Sequence, residues 1–139
     1  MVRRIVCLVA VGLIVATVTG RAAEPLKEKA AAAAEKWLSL IDGEKYGESW
    51  KEAAEFFRNA VKQGQWEQSM QSMRKPLGKL VSRQVKSKTY STSLPGAPDG
   101  EYVVIQFETS LERKKSAVET VTPMMQKDGQ WRVSGYFIK

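Results

Sequence analysis

The spacing of apolar residues changes midway along the chain. Through the first half they return every three or four positions, and through the second every two. Those are the periods of a helix face and of a strand face. Positions 24–42 are predicted helical, because Ala30 to Ala34 have the highest helix propensity and Ala30, Ala34, Trp37, Leu38 and Ile41 fall on one face. Gly43 offers a left-handed stop. A second helical stretch is expected over 44–63, with Tyr46, Trp50, Ala53, Phe57 and Val61 in one stripe. Gly64 closes it, and Gly47 divides off a short turn. A third covers 65–75, with Trp66, Met70 and Met73 spaced four and three, and Pro76 ends it.

Positions 79–92 carry Val81, Val85, Thr89 and Tyr90 among polar residues and predict a long, partly exposed strand. Residues 93–100, with two prolines and two glycines, form a loop, and Asp99-Gly100 is a candidate tight turn. Tyr102 to Leu111 gives the strongest strand, with Val103, Ile105 and Phe107 on one face. A turn over 112–115 leads to a third strand at 117–125. Asp128-Gly129 then predicts a two-residue hairpin into a last strand over 131–138. Helices first and an antiparallel meander second make an α+β fold, with the sheet packed on the helical layer.

The start of the chain obeys neither period. Arg3 and Arg4 precede a 14-residue apolar run, Ile5 to Val18, followed by the small residues Gly20, Ala22 and Ala23. This is the layout of a secretory signal peptide, and the run falls short of the roughly 20 residues of a membrane-spanning helix. Residues 1–22 are therefore expected to be removed, after Ala22 or Ala23, leaving 23–139 as a single domain without a stable transmembrane anchor. The destination is the periplasm or the exterior of the cell. An uncleaved leader would be an anchor instead.

Removal takes away Cys7, the sole cysteine, from a chain that has no histidine. Most nucleophilic catalysis and most transition-metal binding are thereby closed to it. No calcium loop, phosphate-cradling glycine loop or serine nucleophile elbow occurs, so neither metal nor cofactor is expected. The formal charge of +7 drops to +4 once Arg3, Arg4 and Arg21 leave. Between Glu67 and Asp99 lie Arg74, Lys75, Lys79, Arg83, Lys86 and Lys88 without an acidic residue. That run is either an ordinary solvated strand face or a patch for anionic envelope polymers and lipid headgroups. Outside the cytoplasm nucleic acid is not an expected partner.

A resemblance runs through Trp37-Leu38 with Ile41-Asp42, Tyr46 with Ser49-Trp50, Arg74 with Pro76-Leu77-Gly78, and Ser82-Arg83. It continues through Leu94-Pro95-Gly96-Ala97-Pro98-Asp99-Gly100-Glu101-Tyr102, Glu119-Thr120-Val121, and Gly129 through Tyr136. On these residues the chain resembles the bacterial family called domain of unknown function 4019. The resemblance implies no activity. Its element order is similar to the cone of nuclear transport factor 2-like and cystatin-like proteins, in which a curved four-stranded sheet wraps a long N-terminal helix. Some members of that fold hold a pocket between the two, and one fold hosts many functions.

Arg83 shares strand parity with Val81 and Val85, and Glu119 with Ala117 and Val121, which places both charges on the core face. Buried charges need partners. Either Arg83 and Glu119 pair with each other, Tyr136, Gln106 or the backbone, or they line a pocket. In a pocket Glu119 would be a general base, Arg83 an anion clamp and Tyr136 a proton donor. Asp42 stands near the expected pocket mouth, or simply ends its helix. Trp37, Trp50, Trp66 and Trp131 would bury about 150–250 Å² each in a core, or stack on a ligand. The functions that fit are a ligand- or protein-binding module, a histidine-free acid/base enzyme, and a basic adaptor.

Overall fold

The computed structural model describes residues 23–139. The signal-peptide reading of residues 1–22 lies outside the described residues. Four helices, α1 (Ala23–Asp42), α2 (Tyr46–Lys51), α3 (Glu55–Ala60) and α4 (Gln63–Met73), lead through a 3-10 turn at Lys75–Leu77 into four strands. The strands are β1 (Leu80–Ser91), β2 (Tyr102–Leu111), β3 (Lys114–Met125) and β4 (Trp131–Ile138). They form one antiparallel sheet in sequence order, open at both edges, so the fold is α+β.

The alanine run explains how the layers meet. Ala30, Ala31 and Ala34 are buried, and so short a face lets α1 lie against all four strands. Below them Trp37, Leu38 and Ile41 fill the space against Ile105, Phe107 and Val121, all buried. The predicted α1 face and the inward residues of β2 are thus the two halves of one core.

The middle of the helical half departs from its predicted form. The stretch over 44–63 was expected to divide at Gly47 and to continue from there as one longer helix, yet the helix stops at Lys51 and resumes at Glu55. Ala54 is extended (φ −61°, ψ 149°), and its N–H donates to the Val133 carbonyl of β4 at 2.8 Å. That contact draws the chain onto an otherwise open sheet edge. Gly47 lies inside α2 rather than dividing it. Gly64 sits in the first turn of α4 instead of closing a helix, while Gln65 Oε1 accepts the Lys62 N–H at 3.2 Å. Nor does Gly43 supply the left-handed stop after α1. Glu44 takes it, at φ +60°, and the Lys45 N–H reaches back to the Leu40 carbonyl at 2.8 Å.

Turns and bulges account for the other differences. In the 93–100 loop the tight turn is Leu94–Ala97, with Pro95 second and Gly96 third at φ +76°, rather than at Asp99-Gly100. Those are the positions that a type II turn assigns to proline and glycine. Five residues, 126–130, connect β3 and β4, and the turn inside the Gln126–Gln130 pair holds three, Lys127-Asp128-Gly129, instead of two. The Gly129 N–H closes a turn on the Gln126 carbonyl, Gly129 adopts φ +80°, and the Gln126 N–H pairs with the Gln130 carbonyl. In β1 the register shifts between Leu80 and Ser82 and again between Val85 and Ser87. The first shift expels Val81, expected on the core face, so that it is 66% exposed. The second leaves Lys86 outside the ladder. Bulges and a lysine on an edge strand discourage pairing with another chain.

Candidate functional site

Arg83, Asp42, Glu119 and Tyr136 come together at one end of the core. The register sets Arg83 opposite Thr109 and Glu119 opposite Phe107, all on the face turned toward α1. Asp42, the last residue of α1, meets Arg83 from the helical side. Arg83 Nη1 and Nη2 donate to Asp42 Oδ2 and Oδ1 at 2.7 and 2.9 Å, a two-pronged pairing of matched geometry. Arg83 Nε and Nη2 also reach Glu119 Oε1, at 2.8 and 2.7 Å. Thr109 Oγ1 donates to the same oxygen at 2.7 Å, and the Tyr136 hydroxyl donates to Oε2.

Glu119 is 0% exposed. With three hydrogen bonds and an ion pair on two oxygens, its carboxylate has exchanged water for a polar shell, as a buried charge must. Burial alone would lower the pKa of Arg83. The hydrogen bond to Asp42 and the charge of Glu119 outweigh it and hold the guanidinium more firmly protonated than usual. The Tyr136 phenol is pushed up from its ordinary 10.0, first by burial and then by the charge and hydrogen bond of Glu119, with Arg74 and Arg83 opposing.

A raised pKa means that the folded chain keeps a proton which the unfolded chain has released. Stability from this group is therefore complete below about pH 10 and is lost as pH rises above it. The unfolding free energy is expected to fall there with a slope approaching about 1.4 kcal/mol per pH unit. Urea titrations at stepped alkaline pH measure this, and a flat profile to about pH 11 would contradict the buried phenol.

Two further residues complete the chain of charges. Arg74 Nη2 donates to Asp42 Oδ1 at 3.4 Å and Nη1 to the Gly78 carbonyl at 2.6 Å. Arg74 is 3% exposed, whereas Met73, expected on the buried stripe of α4, is 56% exposed. The stripe in fact runs Trp66, Met70, Arg74 at a spacing of four, a pattern that the sequence carries equally well. Thr109 was open to the same parity reasoning as Ile105 and Phe107, being a polar residue on an apolar face.

Gln106, in contrast, is no partner of this cluster. It alternates with buried Ile105 and Phe107, pairs with Thr120, and therefore lies on the opposite face of the sheet. The four tryptophans are core or near-core residues: Trp37, Trp66 and Trp131 are buried and Trp50 half-buried. Trp37 and Trp66 pack around Tyr136, with ring centroids 5.5 and 6.3 Å away. The space expected to hold a pocket around Glu119 is thus filled. A cleft of about 360 Å³ does open between α1, α2 and β4, but Arg83, Glu119, Tyr136 and Asp42 do not line it.

The basic run from Arg74 to Lys88 does not form one patch. Arg74 and Arg83 turn inward to Asp42, Lys75 pairs with Glu44 at 4.0 Å, and Lys88 pairs with Glu28 of α1. Lys79 and Lys86 remain on the surface. Among the described residues no helix is long and apolar enough to cross a membrane. No group of three or more Asp or Glu that could hold a metal ion occurs among them either.

The charge chain Glu119–Arg83–Asp42–Arg74 surfaces in a cleft of about 400 Å³, lined by the end of α1, the 3-10 turn and the β2–β3 turn. A family model described as "Protein of unknown function (DUF4019)" matches residues 33–136, which span every residue of that chain. No curated protein matches the sequence.

Proposed function

The chain belongs to the DUF4019 family, and from that premise we propose that it is an exported, non-catalytic ligand-binding module. One observation carries the reading: the buried charges of the core end in an open cleft at Asp42 and Arg74, while the carboxylate best suited to acid–base work is sealed. A histidine-free enzyme would need Glu119 to touch a substrate. Its two oxygens are instead committed to Arg83, Thr109 and Tyr136. The basic leader, its short apolar run and the small residues after it support export. An adaptor for anionic surfaces would have to rely on Lys75, Lys79 and Lys86, since Arg74, Arg83 and Lys88 are engaged within the chain.

A partner protein on the open sheet face is the second reading. Phe137, 57% exposed and set opposite Thr120, favours it. Native mass spectrometry on osmotic-shock fluid from the producing cells tests the first reading. The expected result is a chain shortened at Ala22 or Ala23 that carries a non-covalent small-molecule adduct. Full-length chain in the cytosol overturns export, and processed chain without an adduct overturns ligand binding.

A further inference from the structure

We propose that the cleft between the end of α1, the 3-10 turn and the β2–β3 turn binds the oxyanion group, carboxylate or phosphate, of a small soluble ligand. The proposal rests on the binding-module reading and supplies its site and ligand class. Two buried side chains form the inner wall of this cleft, Tyr46 at 5% and Arg74 at 3% exposure. Each keeps a polar atom without a partner: the Tyr46 hydroxyl and Arg74 Nε. Native proteins seldom leave such groups empty, because a buried donor without an acceptor forfeits its hydration for nothing. The Nε–H of a guanidinium can only donate. Whatever satisfies it must bring an acceptor.

The acids around the cleft are already engaged. Asp42 is held by Arg83 and Arg74, Glu112 Oε1 accepts the Lys79 N–H at 2.6 Å, and Glu44 faces Lys75 at 4.0 Å. The cations are in surplus. Lys75 is largely exposed, Lys79 has no ion-pair partner among the described residues, and Arg113 spends one N–H on the Pro76 carbonyl. A cation would meet the positive groups of Arg74, Lys75, Lys79 and Arg113, which outnumber the acids of the lining, together with idle donors. An oxyanion would meet ammonium groups at the rim, and a small movement of the Tyr46 and Arg74 side chains, whose O–H and Nε–H are closed off from solvent, would bring it the charge-assisted donors that bind most strongly. The Tyr46 phenol stays protonated at neutral pH, since burial raises its pKa more than Arg74 lowers it. Its hydrogen is therefore available to donate.

Tyr46→Phe separates this site from a structural role. If the hydroxyl has no partner within the chain, its removal leaves the melting temperature of the ligand-free protein unchanged or raises it. Isothermal titration of the processed chain with inorganic phosphate, and separately with acetate, is run at ionic strength fixed with chloride. Saturable binding of at least one anion is expected, weakened about tenfold by Tyr46→Phe through the loss of one hydrogen bond to a charged group. Lys79→Gln is expected to weaken it as well. Absence of saturable binding by either anion overturns the proposal and assigns the two donors to water. So does an affinity unchanged in Tyr46→Phe, or a drop of several degrees in its ligand-free melting temperature. If the native adduct persists in Tyr46→Phe and Lys79→Gln, the chain binds its ligand elsewhere, and this inference falls while the binding-module reading stands.

Discussion

Glu119→Ala is expected to destabilise the fold by about 3–5 kcal/mol, the cost of leaving a buried charge partner uncompensated. The carboxylate is completely buried and receives Arg83, the Thr109 hydroxyl and the Tyr136 hydroxyl together. Its loss leaves Arg83 with Asp42 as its one carboxylate and takes the acceptor from the Thr109 and Tyr136 hydroxyls. Glu119→Gln keeps the shape but points an amide N–H at groups that are themselves donors, so it too should be destabilising. Replacing both members, as Arg83→Met with Glu119→Leu, removes that pair together but takes from Asp42 its two-pronged partner and leaves it Arg74 alone, so the double variant should still be destabilised. Urea denaturation of the four proteins at neutral pH measures the set. A loss below about 1 kcal/mol for Glu119→Ala would place this network among the weak surface pairs and remove it as the clamp between helix and sheet.

Trp37→Ala is expected to cost a similar amount, about 3–5 kcal/mol, through a different mechanism. The indole lies where α1, α2, α4 and β4 converge. Its Nε1–H donates to the Ser49 carbonyl at 2.8 Å, and its ring packs on Trp66 and Tyr136. Deletion leaves a cavity, an unpaired carbonyl and a Tyr136 with less to lean on. Trp37→Phe keeps most of the volume and should lose about 1–3 kcal/mol, chiefly for the stranded carbonyl. Near-ultraviolet circular dichroism should fall in both variants as the aromatic cluster loses its fixed geometry. Calorimetric melting gives the order wild type, Trp37→Phe, Trp37→Ala. Equal melting temperatures for the two variants would mean that the hydrogen bond, not the packing, holds this junction.

These two residues were not equally visible in the sequence. Trp37 declared itself through the period of its helix, and Glu119 through strand parity with Ala117 and Val121. What each touches was not visible. Asp42 and Arg83 lie 41 residues apart, and Arg74 and Asp42 32 apart. Arg74 looked like part of a basic surface run, although its spacing of four from Met70 and eight from Trp66 fitted the buried stripe of α4 as well as Met73 did. Gln106 shows the opposite failure. It was attractive as a polar residue on the central strand, yet its parity sets it on the outer face.

Local period and turn chemistry are properties of adjacent residues. The chain by itself therefore determined the order of helix and strand, the buried face of α1, the bounds of β2 and β4, and the inward aim of Arg83 and Glu119. Tertiary structure decided where the helical stripe breaks, since the Ala54 N–H finds its acceptor on β4 rather than in the preceding turn. It also decided that Val81 bulges outward and that four charged residues far apart in sequence close into one chain. The physical reason is common to all three. A backbone donor or a charge leaving water must be satisfied by whatever lies nearest in space, and that neighbour exists only after the layers have packed.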